Sequence, residues 1–522
     1  MLRVDPQDKA KLIDPLFSAG PRFWAAVVAL LAVIGWGGVM YIRQIIFGLS
    51  QTGMQRPAYW GVYMVNFIFF IGISHAGTLI SAILRVTQAE WRRPITRVAE
   101  AITVFALVVG TLQIVFDMGR PDRLLFIFVY GRLQSPLLWD LVSVTAYFLG
   151  SVTYLYLPLI PDAALLRDNC PEHAPAWRRR LYNLLALGWR GSRSQWLRLE
   201  KAIAVLAVII IPVAVSVHTI ISWILATTVQ PGWHSTIFGP YFVVGAIFSG
   251  IGALFIAMTA VRRLMGLQNY IAERQYRNLG LLFIAMNAIW FYFTYAEHLT
   301  LAAGQQTAEF PVLASKLWGQ FAPGFWMMVL AMAIAFWVMV IPRLLPDAAG
   351  RLLLFRPQAS LATGAAAILI FAFMNVPGLQ PVAASVDEPG VRLVGWLLII
   401  LLLIGVGLGV SLWLKRRLVT STVIAAVAVV AGMWLERWNI VVPTLTQPRF
   451  IRFWFYHPTL TEAALTTASL ALFALLFLIF FKLFPAVSIW EVAEGRVIDE
   501  ARAGVRIPAP EVSEPQRRRH WG

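Results

Sequence analysis

Charged residues are scarce in this sequence: only 13% of its 522 residues are charged, whereas 59% are hydrophobic. A soluble domain of that composition could not cover its surface with polar groups. The basic residues behind the net charge of +17 lie in loops between apolar stretches, and they form neither a basic domain nor an aromatic-interleaved stripe. This distribution argues against nucleic-acid binding, and lipid is the expected solvent for most of the chain.

Cysteine and histidine are too few for several kinds of redox centre. The single cysteine, Cys170, lies in a long polar loop, so the chain cannot form an intramolecular disulfide or supply a Cys-ligated zinc or iron–sulfur site by itself. Only His75, His218 and His298 fall within apolar segments, which excludes two bis-histidine haems. One haem would lack any recognisable ligand spacing. No metal site is predicted in this chain, and any iron–sulfur cluster is expected in a partner.

Long hydrophobic runs, by contrast, are abundant. A spanning helix needs roughly 20 apolar residues, and the first run is too long for a signal-peptide core and has no A-x-A cleavage site. We predict an all-α integral membrane protein with about 12 transmembrane helices. The predicted spans are residues 23–47, 61–84, 98–116, 137–159, 203–228, 241–265, 280–301, 324–344, 361–376, 393–414, 420–441 and 460–483.

The loops predict orientation and domain organisation. About three quarters of the 43 lysines and arginines lie on the side that carries both termini, which is predicted to be cytoplasmic by the positive-inside rule. We expect a cytoplasmic segment at 1–22, a first four-helix bundle at 23–160, a cytoplasmic loop at 161–202, a second four-helix bundle at 203–345, accessory spans at 346–484 and a cytoplasmic tail at 485–522.

One group of ionisable residues is predicted at the extracytoplasmic face. Asp117 closes the third span and Asp140 opens the fourth, while Arg120 and Arg123 lie in the short loop between them. Together with His75 they could accept the two protons that quinol oxidation releases. A structural Asp/Arg network that stabilises the loop is the alternative. His75 lies about 14 residues into its helix, roughly 21 Å from the end, so it reaches the aspartates only if the helix starts late or tilts.

A second group forms a polar stripe within the predicted spans. His218 and Ser222 are separated by four residues on the fifth span, while Thr294, Glu297 and His298 lie near one face of the seventh. Such a stripe could conduct protons, or it could only hold helices together through hydrogen bonds. The sequence leaves both interpretations open.

Several stretches resemble the NrfD/PsrC family of quinone-interacting membrane subunits, and more closely its ActC branch from alternative complex III. They are ISHAGTLISAIL, DMGRPDR, SPLLWD, VHTIISWILATTVQPGWHSTIFGPYFVVGAIFSGIGAL, FTYAEHLT and GMWLERWNIVVPTL. The sequence departs from this family in two ways: the 361–414 region adds two spans to the usual ten or so, and LTLAAGQQ stands where a Trp-Tyr pair is expected.

The resemblance implies two four-helix bundles and no haem in this chain. It implies a quinol site at the extracytoplasmic face of the first bundle, where His75, Asp117 and Asp140 match the site motifs and Arg120 and Arg123 shape the loop. An extracytoplasmic iron–sulfur subunit would dock there, and a multihaem cytochrome c and a homologous membrane subunit would complete the complex. Of the residues predicted for proton conduction, His218, Glu297 and His298 match positions where the family is proposed to conduct protons through the second bundle, and Ser222 and Thr294 join them from the polar stripe.

The preferred hypothesis is therefore a subunit of the bacterial inner membrane that acts only within a complex, where it oxidises quinol, with menaquinol favoured over ubiquinol. Electrons would pass to the iron–sulfur partner, and proton translocation is a second, weaker hypothesis. The site residues would serve either direction of electron flow. A structural anchor for redox subunits and a secondary transporter with a midplane site are the alternatives.

Overall fold

The computed structural model describes residues 5–344, 406–447 apart from 408, and 456–504, with a few further residues between 362 and 366. Within these ranges the regular structure is helical, and ten helices are long and apolar enough to cross a membrane. They are α1 (Pro21–Phe47), α2 (Val62–Val86), α3 (Thr96–Asp117), α4 (Pro136–Asp168), α5 (Arg193–Thr227), α6 (Phe238–Leu264), α7 (Glu273–Gly304), α8 (Ala322–Leu344), α9 (Leu418–Thr446) and α10 (Leu460–Leu483).

Shorter helices connect these spans. They are Pro6–Asp8, Lys9–Ile13, Asp14–Phe17, Gly48–Gln51, Glu90–Arg92, Pro121–Arg123, Phe126–Tyr130, Ala176–Leu185 and Phe310–Leu317, and α11 (Ile489–Gly504) follows the last span. The all-α prediction is confirmed, and ten of the twelve predicted spans correspond to α1–α10. The predicted spans 361–376 and 393–414 lie mostly outside the described residues.

The connection between α4 and α5 is shorter than the predicted loop 161–202. Helix α4 extends into that range from one side and α5 begins within it on the other. Helix α4 continues through Pro158 and Pro161, since a buried bundle tolerates proline where neighbouring groups compensate the backbone. The Arg97 guanidinium of α3 contacts this stretch and donates a hydrogen bond to the Pro158 carbonyl at 3.3 Å. Helix α5 begins at Arg193 because Ser192 and Gln195 form a reciprocal capping box.

The helices pack as two rings of four. Helices α2, α3, α4 and α5 form the first bundle, helices α6, α7, α8 and α9 form the second, and α2 packs against α6 to join them. Two bundles were predicted at 23–160 and 203–345, but the helices that form them differ. The predicted first bundle contained α1, whereas the observed first bundle contains α5 in its place. We call the end of the molecule that carries Asp117 the Asp117 end and the opposite one the Lys482 end.

Helices α1 and α10 pair at the edge of the first bundle. Most of the apolar surface of α1 faces away from the protein, and its main contact is α10. The two helices approach closely at Gly37, where an added Cβ would lie 2.3 Å from the Ala468 Cβ. Small residues allow such close helix packing in membranes. Helix α1 is therefore held mainly by shape complementarity with α10, with hydrogen bonds between Gln44 and residues of α2 and α3 near the end of the helix.

Helix α11 folds back over the Lys482 end of the first bundle. The Asp162 carboxylate of α4 accepts hydrogen bonds from the backbone N–H groups of Ile489 and Trp490, and it pairs with Arg97 at 2.5 Å. Glu491 lies 2.6 Å from Arg85 and 3.5 Å from Arg92. These buried ion pairs fix the start of α11 against α2, α3 and α4.

Candidate functional site

Two aspartates lie at the Asp117 end of the first bundle. Asp117 is the last residue of α3, and Asp140 lies in the second turn of α4. The Oδ1 atom of each carboxyl is buried and has no hydrogen-bond partner among the described residues. Buried polar atoms without a partner are rare in folded proteins, and each calls for an explanation such as a ligand or water. Both carboxyls are therefore candidates for contact with a bound molecule.

Polar side chains from other helices surround Asp117. The Tyr63 hydroxyl of α2 donates to Gln44 Oε1 of α1 at 2.7 Å, and the Gln44 amide donates to the Phe116 carbonyl at 2.7 Å. Glu462 of α10 is close enough to influence Asp117 and Tyr63 electrostatically. The hydrogen bonds of Tyr63 and Gln44 reach the backbone next to Asp117, and Glu462 lies within electrostatic range of it, so we call these four residues the Asp117 cluster (Gln44, Tyr63, Asp117 and Glu462).

The loop that joins α3 to α4 is exposed. Arg120 pairs with Asp122 at 2.8 Å, and both side chains are more than half exposed. Arg123 is also exposed, so neither arginine contacts the unpaired oxygens of Asp117 and Asp140. The loop also presents an apolar patch of large, exposed side chains, namely Leu125, Phe128, Val129, Tyr130 and Leu133. Exposed apolar side chains grouped in this way mark a contact with a protein partner or with the membrane.

His75 does not lie beside these aspartates. Helix α2 begins at Val62, and twelve residues separate Tyr63 of the Asp117 cluster from His75, which corresponds to about 18 Å along the helix. The helix neither starts late nor brings His75 to this end. The predicted grouping of His75 with Asp117 and Asp140 is therefore not found, and the roles of the three residues stay predictions.

His75 instead meets His218 inside the first bundle. Their ring centroids are 4.0 Å apart in an edge-to-face arrangement, and both side chains are fully buried. The His75 ring nitrogens lie 2.8 Å from the Ile71 carbonyl and 2.5 Å from the Ala214 carbonyl. Both nitrogens of His218 are buried and have no partner among the described residues. His218 was predicted in the second bundle, but α5 belongs to the first.

Of the remaining residues of the predicted proton path, Ser222 lies one helical turn from His218, whereas Thr294, Glu297 and His298 belong to the second bundle. The Ser222 hydroxyl donates to the Thr219 carbonyl of its own helix. In the second bundle, the Thr294 hydroxyl is 3.1 Å from the Tyr241 hydroxyl, and Glu297 accepts a hydrogen bond of 2.6 Å from Ser235. The five predicted residues therefore divide between the two bundles.

A small cavity of about 30 Å³ lies beside Glu297 and His298, and that volume has room for water. The His298 Nε2 and Asn439 Oδ1 atoms line it and have no partner among the described residues. Lys316, from the helix Phe310–Leu317, also lines the cavity. Burial lowers the pKa of the Lys316 ammonium to about 8, although the nearby Glu297 carboxylate opposes this shift. The cavity thus gathers proton-exchanging groups from α7 and the adjacent loop.

Comparison with known proteins identifies the family. The family model described as polysulphide reductase, NrfD matches residues 50–377, which is more than half of the chain. The chain belongs to the NrfD family. The resemblance to NrfD/PsrC membrane subunits that the sequence motifs indicate is thus confirmed at the family level.

Three relatives of this NrfD-family chain are subunits of redox enzymes by name. A putative membrane subunit of dimethyl sulfoxide reductase from Halobacterium salinarum is 32% identical over 236 residues, 45% of this chain and 50% of that protein. A selenate reductase subunit of Mesobacillus selenatarsenatis is 26% identical over 243 residues, which are 44% of this chain and 54% of that protein. The Hdr-like menaquinol oxidoreductase integral membrane subunit of Archaeoglobus fulgidus is 22% identical over 282 residues, which are 53% of this chain and 60% of that protein. The chain spans little more than half the length of these relatives.

The centre of this NrfD-family protein contains an ion pair that the site prediction missed. Glu436 and Arg437 of α9 pair with each other, and both are 1% exposed. The Trp290 indole donates to Glu436 at 2.6 Å, and the Arg437 guanidinium lies over the Phe242 ring at 5.2 Å. Adjacent charged residues within an apolar run are costly in lipid, and this signal in GMWLERWNIVV could have identified them.

Other residues of the candidate site were missed because the chain gives no local signal for them. Tyr63, Glu462 and Lys316 lie at helix ends or in a loop, where polar residues are ordinary. Only packing brings Glu462 to Asp117 and Lys316 to Glu297. Among the described residues, no group of three or more histidine, cysteine, aspartate or glutamate side chains could hold a metal ion.

Proposed function

We propose that this chain is the quinol-oxidising membrane subunit of a respiratory oxidoreductase and that the reaction takes place at the Asp117 end. The observation that carries the proposal is the pair of buried carboxyl oxygens, Asp117 Oδ1 and Asp140 Oδ1, without partners among the described residues at the same end of one bundle. The relatives' names support a redox role, and one of them is a menaquinol oxidoreductase subunit. Menaquinol is the preferred substrate, and the ActC branch is the preferred functional model.

The chemistry requires acceptors for protons and electrons. Oxidation of one quinol to quinone releases two protons and two electrons, and carboxylates within hydrogen-bond reach of the ring hydroxyls accept the protons. The chain's part is to bind the ring, take the protons at Asp117 and Asp140 and pass them outward. Arg120 and Arg123 would shape the loop above the ring, and His75 would act deeper in the bundle.

An extracytoplasmic iron–sulfur subunit would take the two electrons. The apolar patch on the loop between α3 and α4 supports docking of such a partner directly above the proposed site. A multihaem cytochrome c would receive the electrons next, and a homologous membrane subunit would lie alongside. We propose a bacterial inner-membrane location with both termini, and hence the Lys482 end, in the cytoplasm, as the distribution of basic residues indicates.

The decisive experiment measures menaquinol-dependent reduction of the acceptor by the purified complex with Asp117→Asn or Asp140→Asn. Each variant should lose at least about a hundredfold in turnover, because a positioned proton acceptor contributes roughly that much. Asp122→Asn is the matched control, since Asp122 is an exposed carboxyl of the same loop. Normal turnover in both variants, with all subunits present, would refute the site and favour a structural anchor.

Proton translocation is a second candidate function. The observation that favours it is the cavity that joins Glu297, His298 and Lys316, with the Thr294–Tyr241 contact nearby and the His75–His218 pair in the adjoining bundle. Buried ionisable groups within a membrane bundle mark proton relays in pumps and transporters. Ser222 would contribute from α5. The described spanning helices are continuous, which gives no support to a transporter with broken helices.

The test is the ratio of protons to electrons in proteoliposomes. Glu297→Gln should lower that ratio while quinol turnover continues, because the amide cannot carry a proton. Glu273→Gln, an exposed residue at the start of the same helix, should leave the ratio unchanged. An unchanged ratio in Glu297→Gln would eliminate the proposed path.

A further inference from the structure

A long apolar groove runs along the edge of the first bundle and reaches the second. Its volume is about 1160 Å³, and its walls come mainly from α2, α6, α9 and α10. The lining is hydrocarbon for most of its length and includes Phe70, Ile73, Ala257, Val430, Phe473 and Phe477. The groove is open on one side, so it is a feature of the protein surface and not a packing void of the interior.

The groove extends across most of the membrane. Thr466 lines it toward the Asp117 end and Lys482 lines the opposite end, and both residues belong to α10. Sixteen residues separate them, which corresponds to about 24 Å of helix. The hydrocarbon layer is about 30 Å thick, so an acyl chain of one leaflet would cover only about 15 Å. A single long hydrocarbon chain fits this length better than one phospholipid does.

The groove ends in polar groups immediately below the Asp117 cluster. Asn66 lines that end, and its amide donates to Thr466 at 2.9 Å and approaches Gln113 at 3.5 Å. The Trp434 indole donates to the Asn66 carbonyl oxygen at 2.9 Å. This polar group is the first that a molecule in the groove would meet.

The distance from this polar end to the Asp117 cluster can be read along three helices, α3, α2 and α10, and it is about the same on each. Gln113 lies four residues before Asp117, Asn66 lies three after Tyr63, and Thr466 lies four after Glu462. Residues three or four apart are neighbours on a helix, one turn or about 5–6 Å apart. The groove therefore leads from the Lys482 end to within one helical turn of the proposed quinol site.

We propose that this groove holds the isoprenoid tail of the quinol and delivers the ring to the Asp117 cluster. The inference rests on the proposed function, and it adds that the enzyme prefers quinols with long tails. Two cations line the far end, Lys482 and Arg22, and the Lys482 ammonium donates to the carbonyls of Pro15 and Ser18. The length of the groove and its continuity with the Asp117 end are therefore what favour a long hydrocarbon tail as the occupant. The surrounding lipid is as apolar as the quinol tail, so hydrophobicity gives the groove no preference for the tail. The groove selects the tail by its shape, and it directs the ring toward the Asp117 end.

The test compares long-tailed menaquinol with a short-chain analogue as substrates for the purified complex in liposomes. Ala257→Trp fills the groove from α6, and Ala474→Trp fills it from the more exposed wall of α10. Each variant should raise KM for the long-tailed quinol at least about tenfold over the wild type. For the short-chain analogue, both kcat and KM should stay within about twofold of the wild-type values. Ala204→Trp, on a lipid-facing position of α5 outside the groove, is the matched control.

The outcomes separate this inference from the proposed function. A KM for the long-tailed quinol that stays at the wild-type value in both groove variants, or equal losses with both substrates, would overturn the tail assignment. Phospholipid recovered with the wild-type complex and lost from both groove variants, with unchanged quinol kinetics, would identify a lipid site instead. If Asp117→Asn retains full turnover with the short-chain quinol, the proposed function itself fails, whatever the groove variants do.

Discussion

The ring of His75 on α2 lies edge to face against the ring of His218 on α5, with 4.0 Å between the two centroids. The two residues are 143 positions apart in sequence, and they share one buried site at the centre of the first bundle. Their polar surroundings differ sharply. Both nitrogens of His75 face backbone carbonyls, whereas those of His218 face no hydrogen-bond partner among the described residues.

This difference predicts opposite effects on stability. Replacing His75 with Phe removes the hydrogen bond between its ring and a backbone carbonyl, and we expect a loss of about 0.5–1.5 kcal/mol. Replacing His218 with Phe removes two unsatisfied buried nitrogens, so the free energy of unfolding should stay level or rise. Thermal unfolding of the detergent-solubilised protein gives the order. A His218→Phe variant that is as destabilised as His75→Phe would reveal an unrecognised partner of His218.

The buried Glu436–Arg437 pair predicts strong non-additivity. Removing one partner of a buried ion pair leaves an uncompensated charge and costs about 3–5 kcal/mol, so Glu436→Gln and Arg437→Met should each be strongly destabilising. The double variant should be less destabilised than the sum, because neither charge then remains unpaired. Unfolding of the four proteins of this cycle measures the coupling. Breaking the exposed Arg120–Asp122 pair should cause no measurable change, and additive effects at Glu436 and Arg437 would contradict their coupling.

The lowered pKa of Lys316 leads us to expect that the free energy of unfolding rises with pH. Burial lowers its pKa from 10.5 to about 8, so between these values the unfolded chain binds more protons at this residue than the folded chain does. The free energy of unfolding should therefore increase as pH rises from about 8 to 10.5. Lys316→Met should abolish this part of the pH dependence, whereas Lys201→Met, at an exposed position of α5, should preserve it. Thermal midpoints across this pH range provide the measurement.

Glu491 predicts acid-sensitive docking of α11. Burial alone would raise the pKa of its carboxyl, but Arg92, Arg85, Arg97 and Arg93 together hold that pKa below the ordinary 4.5. Its contribution to stability is therefore complete above about pH 4.5 and is lost as pH falls through the lower pKa of the folded state.

Glu491→Gln should release α11 at neutral pH, and limited proteolysis should then remove the C-terminal segment several times faster than in the wild type. Glu494→Gln, at a more exposed position on the same helix, is the control and should have a smaller effect. Equal proteolysis rates in the wild type and Glu491→Gln would show that the backbone contacts of Asp162 alone hold the helix.

Hydrophobic length alone predicted the spanning helices well. Residues 460–483 were predicted as a span, and α10 has those bounds. This works because a helix in lipid must satisfy its own backbone and match the bilayer thickness, and both constraints are local. Helix ends were less predictable: α4 continues through Pro158 and Pro161 to Asp168, beyond the predicted end of the span at residue 159.

The candidate site was only partly predictable. Asp117 and Asp140 were placed at one end of the molecule by their positions at helix ends, and the depth of His75 followed from the helical rise. Their partners did not follow, since Glu462 and Tyr63 lie far apart in sequence and polar residues at helix ends are common. The role of all these residues in quinol chemistry remains a proposal.

The sequence by itself determined that the chain is helical, where most spans begin and end, and which family it belongs to, because periodicity, hydrophobic length and motifs are properties of contiguous residues. Only the tertiary structure decided that α5 replaces α1 in the first bundle, that His218 meets His75, and that a groove leads to Asp117. The physical reason is that lipid solvates all apolar helices about equally, so hydrophobicity does not determine which helices pair. Side-chain shape and small residues such as Gly37 determine it, because they allow close packing.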